Sequence, residues 1–534
     1  MRAFINGRIR TGDPGLPWAT ALVVDDAGLI VHVGGDDQIG RDIEHVDLGG
    51  GFVLPGFIDA HVHPEMAGLQ IVGGTLVGQP DVEGYWSVLR SRLTEGGESD
   101  WVVLTGYAAI VMAQSGATRA TLDSIAGSRP VVLVNSDLHG GLVNSAVLSI
   151  AGFEHGGGYP SELVEVDADG VASGYLNEEA LNAVLALAPP ASKETLLAAV
   201  RAAQAHLHSV GVVGWHDALV GDQHGLGDSV PRYIELHARG ELTARVTGAY
   251  GWNRARGVEQ IEAVRAYQAD VNRSPIKVVG VKLLLDGVNE AHTAAMLHPY
   301  SDASGHLHDE GPSLIGREAL IETVVALDAV GLDVHMHAVG DRAVRDGLDA
   351  VEAARRANGY GEARHQIAHA LFVSDADVPR FAELDVTLDN QGVWSAADFL
   401  DVDGYAAMVG DEVMQTFYRY ETLHATGLRW SAGSDWPVSS PAPLDGITAA
   451  TRRALAPGAP AHDGWERLSA ETVITAYTSG SAYSSRLPLN GTLRVGMNAD
   501  FVRLSGDPTA VDYANTLTVE ETVIGGKPVF RADD

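Results

Sequence analysis

A chain of 534 residues is too long for one small core, so its length predicts several domains or one large barrel with additions. Hydrophobic residues make up 46% and charged residues 20%, which is typical of a folded protein and excludes a disordered one. The net charge of -34 opposes binding to nucleic acid and to anionic membrane surfaces, and we interpret the acidity as a contribution to solubility or salt adaptation.

The lack of cysteine excludes a disulfide, a Cys-based zinc site and a thiol nucleophile. Any metal ligand must therefore be His, Asp, Glu or Lys. The first apolar run is broken at Asn6, Gly7 and Arg8, which does not fit the core of a signal peptide. No apolar segment approaches the roughly 20 residues that span a bilayer. We expect a cytoplasmic protein.

The two ends of the chain contain short β-strand patterns. Residues 2–8 and 19–33 alternate apolar and polar side chains, and the second stretch has a turn at 25–28 that is typical of a hairpin. Residues 499–504 and 517–530 are similar, with a Gly525-Gly526 turn. These patterns predict a small β-sandwich formed by residues 1–55 together with 490–534.

The middle of the chain predicts an α/β fold, a (β/α)8 TIM-like barrel over residues 56–489. Apolar strand-like runs there are often followed by Ala- and Leu-rich helical stretches, which is typical of βα units. The eight predicted strands end near His61, Asp217, Tyr250, Asp286, His337, His369, Asn390 and Asp435.

Two connections are longer than an ordinary βα loop. The one between the first and second strands contains the strand-like pieces WVVLTGY from Trp101 and PVVLVNSDL from Pro130, so we predict an inserted α/β subdomain at about 75–205. The connection at 391–428 is rich in aromatic residues. Two interpretations stay open for it: a lid over the barrel mouth, or packing on the rim.

The stretch Gly51–Pro64, GFVLPGFIDAHVHP, contains the first candidate site. Alternate residues of a strand share one face, so His61 and His63 would point the same way and suit a metal ion. An isolated HxH pattern also fits ordinary polar residues where a strand leaves the core.

Lys282 lies inside the apolar run GVKLLLDGV, where a buried ammonium group would be costly. Either it extends to solvent or pairs with Asp286, or its neutral amine has reacted with carbon dioxide. The resulting carbamate would be an anionic ligand able to bridge two cations.

Further candidates follow in VHMHAVGD, IAHAL and SAGSDWP. The first offers His335 and His337, of which His337 lies closer to the strand end; the others offer His369 and Asp435. Any one of these histidines alone is more often structural than a ligand. Barrel sites form at the carboxyl ends of strands, so the joint pattern predicts a metal centre. Its expected members are His61, His63, Lys282, His337, His369 and Asp435.

The order HxH, Lys, His, His, Asp on a barrel flanked by a two-ended sandwich resembles the amidohydrolase superfamily, and within it the YtcJ-like branch that includes N-substituted formamide deformylases. The resemblance extends over nearly the whole chain. The matching stretches are FIDAHVHP, SDLHGGLVNSAVL, GYLNEE, GWHDA, VKLLLDG, HAVGDRAV, IAHA and GSDWPVSSP.

The resemblance implies a role for each site residue. His61 and His63 match ligands of a buried metal, Lys282 matches a bridging carbamylated lysine, and His337 and His369 match ligands of a second metal. Asp435 matches a residue that binds metal and handles the proton of a bridging water. Both Lys282 and Asp435 therefore count as catalytic.

Candidate substrate-binding residues fall in two groups. His139, Asn144 and Glu178 match motif positions in the inserted region, whereas Glu290, His292 and Trp436 are expected to line the pocket. The chain departs from the family at Ala368, where Glu is usual, at Gln391-Gly392, where Gln-Pro is usual, and in the residues VNEAHTAAM after Lys282. These departures concern substrate identity more than metal binding.

The predicted activity is metal-dependent hydrolysis of a non-peptide or small amide C–N bond by a metal-bound hydroxide. The expected cofactors are two divalent ions, with zinc favoured by His and carboxylate ligands. One alternative is a mononuclear, deaminase-like hydrolase of a cyclic amidine or ureide that uses His369 for proton transfer. Another, of a different class, is a non-catalytic metal- or ligand-binding barrel. The expected substrate is a small-molecule amide, and a homodimer is the default assembly.

Overall fold

The computed structural model of the chain describes residues 1–40, 42–95, 101–136, 140–160, 163–221, 227–301, 307–459 and 464–532. The chain divides into two compact units. We call Met1–His63 with Gln204–Asp534 the barrel unit, and Pro64–Ala203 the inserted unit.

Eight parallel strands form the barrel of the barrel unit, each pairing with the next one along the chain. Barrel strands one to eight are Phe57–Val62, Val212–Val220, Arg245–Gly251, Lys277–Leu284, Asp333–Ala338, Gln366–His369, Thr387–Asn390 and Trp430–Ala432. This arrangement confirms the predicted fold class.

The barrel is nearly closed where the chain after barrel strand eight meets barrel strand one. The backbone N–H of Asp435 donates to the carbonyl of His61 at 2.7 Å, and the N–H of His63 donates to the carbonyl of Trp436 at 2.9 Å. These bonds bring Asp435 beside His61 and His63.

The barrel strands are buried along most of their length, as expected for a parallel sheet covered by helices. In the long helix Asp341–Asn358, Val344, Leu348 and Val351 are fully buried and lie on one helical face. The α-helices that start and end within the barrel unit are Val230–Ala238, Ile261–Val271, Arg317–Ala329, Asp341–Asn358, Arg380–Glu383, Val402–Val409, Asp411–Met414, Tyr420–His424, Pro443–Arg452, Ala470–Thr475 and Ser481–Ser484. Short turns of other helix types are Asp36–Gln38, Gly257–Gln260, Gly392–Ser395, Ala476–Gly480 and Ala514–Thr516.

Two sheets beside the barrel are built from the ends of the chain. The four-stranded sheet has the order Ile30–Gly34, Ala21–Val24, Arg2–Ile5, Glu44–Asp47. The six-stranded sheet combines both ends in the order Lys527–Arg531, Val519–Ile524, Phe501–Leu504, Phe52–Pro55, Arg8–Arg10, Trp18–Ala19. Phe4 and Phe501 meet edge to face at 5.0 Å in their shared core. Both predicted hairpins are present as antiparallel pairs.

The inserted unit has its own mixed sheet and hydrophobic cores. The sheet order is Val164–Val166, Ala172–Asn177, Gly140–Val143, Val131–Asn135, Val102–Tyr107. The last two strands confirm the strands predicted from Trp101 and Pro130. Helices in this part of the chain are Pro64–Gly73, Val82–Leu93, Ala109–Ser115, Arg119–Ala126, Ser145–Ala151, Glu178–Leu185 and Lys193–Ser209, the last of which contains the boundary between the units. Among the described residues, no helix combines the length and apolar character needed to cross a bilayer.

Candidate metal centre

His61 of barrel strand one and His63, which directly follows that strand, both lie next to Asp435. Nε2 of His63 lies 3.2 Å from Oδ1 of Asp435, and Nε2 of His61 lies 3.4 Å from the same oxygen. Nζ of Lys282, from barrel strand four, lies 3.0 Å from Nε2 of His61. These four residues are called the first ligand group.

His337 and His369 form a second cluster beside the first. Their ring centroids are 4.5 Å apart, and the ring of His369 lies 5.0 Å from that of His61. These two residues are called the second ligand group. All six side chains predicted from the sequence therefore meet at one mouth of the barrel, while their assignment as metal ligands stays a prediction.

Burial sets the protonation of the centre. It lowers the pKa of His61 and of His369 well below the usual 6.5, so both imidazoles are neutral and offer a lone pair. Burial also lowers the pKa of Lys282 to about 8, although the charges of Asp435 and Asp389 oppose this shift. The amine is therefore closer to its neutral form than an exposed lysine is.

The environment of His369 fits a metal ligand. Its side chain is fully buried, and neither ring nitrogen meets hydrogen-bond geometry with a described residue, although Gln391 lies near enough to raise its pKa. The indole of Trp394 stacks on the ring at 4.9 Å and 11°. An unpaired buried imidazole is costly, and a bound cation would satisfy one of its nitrogens.

The donor atoms also lie close enough together for a metal ion. One ligand atom from each of His61, His63 and Asp435 falls within 4.8 Å of the others. Imidazole nitrogens with a carboxylate oxygen are a donor set that zinc and related divalent ions use. The side chains present therefore fit a divalent cation.

Backbone strain coincides with two of the predicted ligands. His369 has a φ of 75° and Asp435 a φ of 56°, and Ala370 follows with a φ of 41°. Residues other than glycine rarely adopt this left-handed backbone conformation, and such strain concentrates at functional sites.

Buried carboxylates support the strand ends around the centre. Asp59 accepts hydrogen bonds from the backbone N–H and the hydroxyl of Ser434 at 3.0 and 2.6 Å, which fixes the loop that carries Asp435. Burial raises the pKa of Asp59 to about 7. Asp59 thus positions the loop after barrel strand eight.

Asp286 does the same for the loop after barrel strand five. Its carboxylate accepts from the backbone N–H groups of Ala295, Val339 and Gly340 at 2.9, 3.0 and 2.8 Å. Oδ1 lies 3.7 Å from Nε2 of His337. The alternative that Asp286 pairs with Lys282 has no support, because Lys282 contacts His61 instead.

Three of the predicted pocket residues lie in the barrel unit. Trp436 follows Asp435 directly, and its ring lies 5.1 Å from that of His206. Glu290 accepts a hydrogen bond from the hydroxyl of Tyr405, and His292 stacks on Tyr300 at 4.8 Å. The structure leaves their contact with substrate as a prediction.

The other three belong to the inserted unit. Asn144 is fully buried and makes local backbone contacts: its side chain accepts from the N–H groups of Val131 and Val147 and donates to the carbonyl of Arg129. This bonding gives Asn144 a structural role as the cap of the helix Ser145–Ala151. Glu178 begins the helix Glu178–Leu185, but its side chain lies outside the described part, as does His139.

Several residues around the centre are not among the members expected from the sequence, although His335 is a candidate there. Asp389 of barrel strand seven is fully buried beside His61, and His335 hydrogen-bonds that histidine. Trp394 stacks on His369, and His216 stacks on His335 at 5.4 Å and 8°. The HxH spacing of His335 and His337 was a usable signal for His335. The predicted strand end at Asn390 is a weaker signal for Asp389, which directly precedes it.

The barrel, its two-ended sandwich and the strand-end cluster of His, Lys and Asp side chains define a metal-dependent hydrolase of the amidohydrolase superfamily. The sequence model described as "Amidohydrolase family" matches residues 44–530. The chain belongs to this family.

Relatives of known sequence and structure resemble the chain over nearly its whole length. The YtcJ protein of Bacillus subtilis, whose name assigns it to the amidohydrolases, is 28% identical over 96% of each chain. The N-substituted formamide deformylase of Arthrobacter pascens is 24% identical over 98% of this chain and 97% of its own. The crystal structure of an uncharacterized metal-dependent hydrolase from Pyrococcus furiosus has a TM-score of 0.73 and 26% identity, covering 95% of this chain and 99% of that one.

Proposed function

We propose that the protein hydrolyses the C–N bond of a small, non-peptide amide. One observation carries this proposal: five different barrel strands or strand ends bring His61, His63, Lys282, His337, His369 and Asp435 together at one mouth. The similarity to an N-substituted formamide deformylase supports an amide substrate, although that activity belongs to the relative.

The proposed cofactors are two divalent ions, zinc by preference, held by the first and second ligand groups. Such ions lower the pKa of a bound water and polarise a carbonyl oxygen. We propose that Lys282, a member of the first ligand group, would also serve the second as a carbamate. Its neutral amine attacks carbon dioxide, an N–C bond forms, and one proton is released. A pKa lowered to about 8 supports this step, because it increases the neutral fraction of the amine.

Asp435 is the proposed general base and general acid. Its carboxylate lies 3.4 Å from His61 and 3.2 Å from His63, beside the place where the attacking water would bind. It would accept a proton from that water and deliver it to the leaving nitrogen. His63 and His337 keep partly exposed edges at the mouth, where a small substrate can approach.

The first test is hydrolysis of a panel of small amides, including N-substituted formamides, by zinc-loaded protein. We expect Asp435→Asn to lower kcat by at least about 100-fold, the usual effect of losing a general acid or base. His61→Ala and His337→Ala should abolish turnover. The control Asp270→Asn removes an exposed carboxylate and should leave turnover unchanged. Full activity in Asp435→Asn would remove the proposed proton-transfer role, and a metal-loaded protein that hydrolyses nothing would favour a non-catalytic barrel.

The second test separates a bridged pair of ions from a single ion. We expect Lys282→Ala to reduce bound zinc to below two ions per chain, measured by elemental analysis after dialysis. Lys277→Ala is a matched control, because Lys277 begins the same strand and donates to the carbonyls of Asn272 and Ser274 instead of a site residue. One ion per parent chain, with activity independent of carbon dioxide, would instead favour the mononuclear deaminase-like alternative.

A further inference from the structure

The imidazole of His61 has two ring nitrogens with different neighbours. Nδ1, which faces away from Lys282 and Asp435, has two polar neighbours deep in the barrel. Nε2 of His335 lies 2.8 Å from it, and Oδ2 of Asp389 lies 3.5 Å from it. Both side chains are almost completely buried. One ligand atom from each of His61, His335 and Asp389 lies within 4.8 Å of the others.

The opposite nitrogen, Nε2, points toward Asp435 and Lys282. If Nε2 binds a cation, its lone pair is used there and the imidazole proton must be on Nδ1. The short contact then has only one direction, with Nδ1–H of His61 donating to Nε2 of His335. The reverse direction would place the proton of His61 on Nε2 and block metal binding.

Asp389 is fixed so that one oxygen faces the same edge of the ring. Oδ1 accepts from the hydroxyl of Ser431 at 3.0 Å, and Oδ2 accepts from the amide of Gln391 at 3.2 Å. When it is ionised, this carboxylate places negative charge beside Nδ1–H of His61. Such charge makes an imidazole a better electron donor to a metal on its other nitrogen.

We propose that His335 and Asp389 are positioning residues for the metal centre: His335 fixes the tautomer and orientation of His61, and Asp389 strengthens it as a ligand. Neither binds the cation itself. The inference rests on the proposed function, since it requires a metal at the first ligand group. Nδ1 of His335 is buried without a hydrogen-bond partner among the described residues. An unsatisfied buried nitrogen costs free energy, and a protein typically retains such a group for its function.

The test measures zinc affinity by competition with a chelator, together with zinc content and thermal stability, in the full-length protein. We expect His335→Leu and Asp389→Asn to weaken the binding of one zinc ion by about 10- to 100-fold. His335→Gln should lose less, because its amide oxygen can still accept from His61. At saturating zinc, all three variants should regain the zinc content of the parent.

His365→Gln is the matched control. His365 is also fully buried and pairs with a carboxylate, that of Asp328, at 2.9 Å, but it makes no contact with His61. It should lower thermal stability and leave zinc affinity unchanged. If His335→Leu does not fold, His335→Gln and Asp389→Asn decide the question.

Three outcomes would overturn the proposal. Unchanged zinc affinity in folded Asp389→Asn and His335→Gln would show that the contacts do not support the metal. A zinc ion that stays lost at saturation in the His335 variants would make His335 a ligand instead. A parent protein that binds no zinc, manganese or cobalt would overturn the proposed function and this inference with it, whereas metal binding by the parent with unaffected variants would overturn this inference alone.

Discussion

Burial also controls the protonation of histidines that are not among the predicted ligands, and His208 is an example. It is 3% exposed, and its two ring nitrogens contact the carbonyl of Val212 at 2.9 Å and the hydroxyl of Thr243 at 2.8 Å. Burial lowers its pKa from 6.5 to about 4. The folded protein therefore holds this imidazole in its neutral form at neutral pH.

This residue predicts a loss of stability in mild acid. Between pH 6.5 and about 4 the unfolded chain binds a proton at His208 that the folded chain does not. The stability of the folded state that depends on neutral His208 is therefore fully present above pH 6.5 and is lost as the pH falls toward 4. We expect His208 to account for about 2 kcal/mol of the decrease in unfolding free energy between about pH 7.5 and about pH 5.

Denaturant unfolding of the parent and of His208→Gln at both pH values measures this effect. The glutamine has no proton to gain, so its stability should decrease less over the same interval. Equal decreases in the two proteins would assign the acid sensitivity to other groups.

Among the larger elements, the aromatic segment 391–428 packs around one buried arginine. Tyr405, Phe417, Tyr418 and Tyr420 are all buried, whereas Phe399 is 42% exposed. The rings of Phe417, Tyr418, Tyr420 and Trp465 surround the guanidinium of Arg453 at 4.6 to 5.8 Å from its carbon. These rings pack around Arg453, while Trp394 of the same segment stacks on His369 and Tyr405 donates to Glu290, so the choice between a lid and rim packing stays a prediction.

Arg453 is fully buried, and two of its nitrogens, Nε and Nη2, have no hydrogen-bond partner among the described residues. Its remaining contact is a weak one, from Nη1 to the carbonyl of Tyr418 at 3.4 Å. Burial lowers its pKa to about 10, so it remains charged at neutral pH. The aromatic faces are thus its main stabilising partners.

We expect Arg453→Ala to lower the unfolding free energy by about 3 kcal/mol, since it removes the cation–π contacts and leaves a cavity among four rings. Arg453→Lys should recover part of this loss, because it keeps the charge without the planar group. Hydrogen exchange should become faster over residues 417–420 in the alanine variant. Arg452→Ala is the control, because Arg452 is partly exposed and pairs with an exposed Asp512. This change should alter the unfolding free energy by less than about 0.5 kcal/mol. An alanine variant as stable as this control would contradict the structural role of Arg453.

The elements show which parts of the fold were predictable. Strand ends such as those near His337 and His369 follow from apolar runs that stop at a polar residue, a pattern that a parallel barrel imposes locally. Asp389 lies in a strand of four residues, and its closeness to His61 depends on the circular closure of the barrel. Asn144 shares a motif with a family yet serves as a local helix cap. Contacts across the barrel and the choice between two roles for one polar side chain need the tertiary structure.

At the scale of the whole barrel unit, one buried carboxylate joins the terminal sheets to the barrel. Asp500 is 4% exposed and accepts from Nε and Nη2 of Arg245, which begins barrel strand three, at 2.9 and 3.1 Å. It also accepts from the side chain of Asn490 at 2.7 Å and the N–H of Gly525 at 2.6 Å. A single side chain therefore links the barrel with the hairpin at residues 519–531.

Replacing this carboxylate should weaken the whole unit while leaving the chemistry intact. We expect Asp500→Ala to lower the unfolding free energy by about 2 kcal/mol, because Arg245, Asn490 and Gly525 lose a shared acceptor; partial solvation of Arg245 keeps the loss below that of a fully buried pair. Thermal unfolding measures the change, and Asp512→Asn, which removes an exposed carboxylate, should have almost no effect. Below the transition temperature, zinc content and turnover per chain should match the parent, because Asp500 touches none of the six predicted ligands. A loss of bound zinc in Asp500→Ala at a temperature where the protein is fully folded would mean that the terminal sheets help to shape the metal centre.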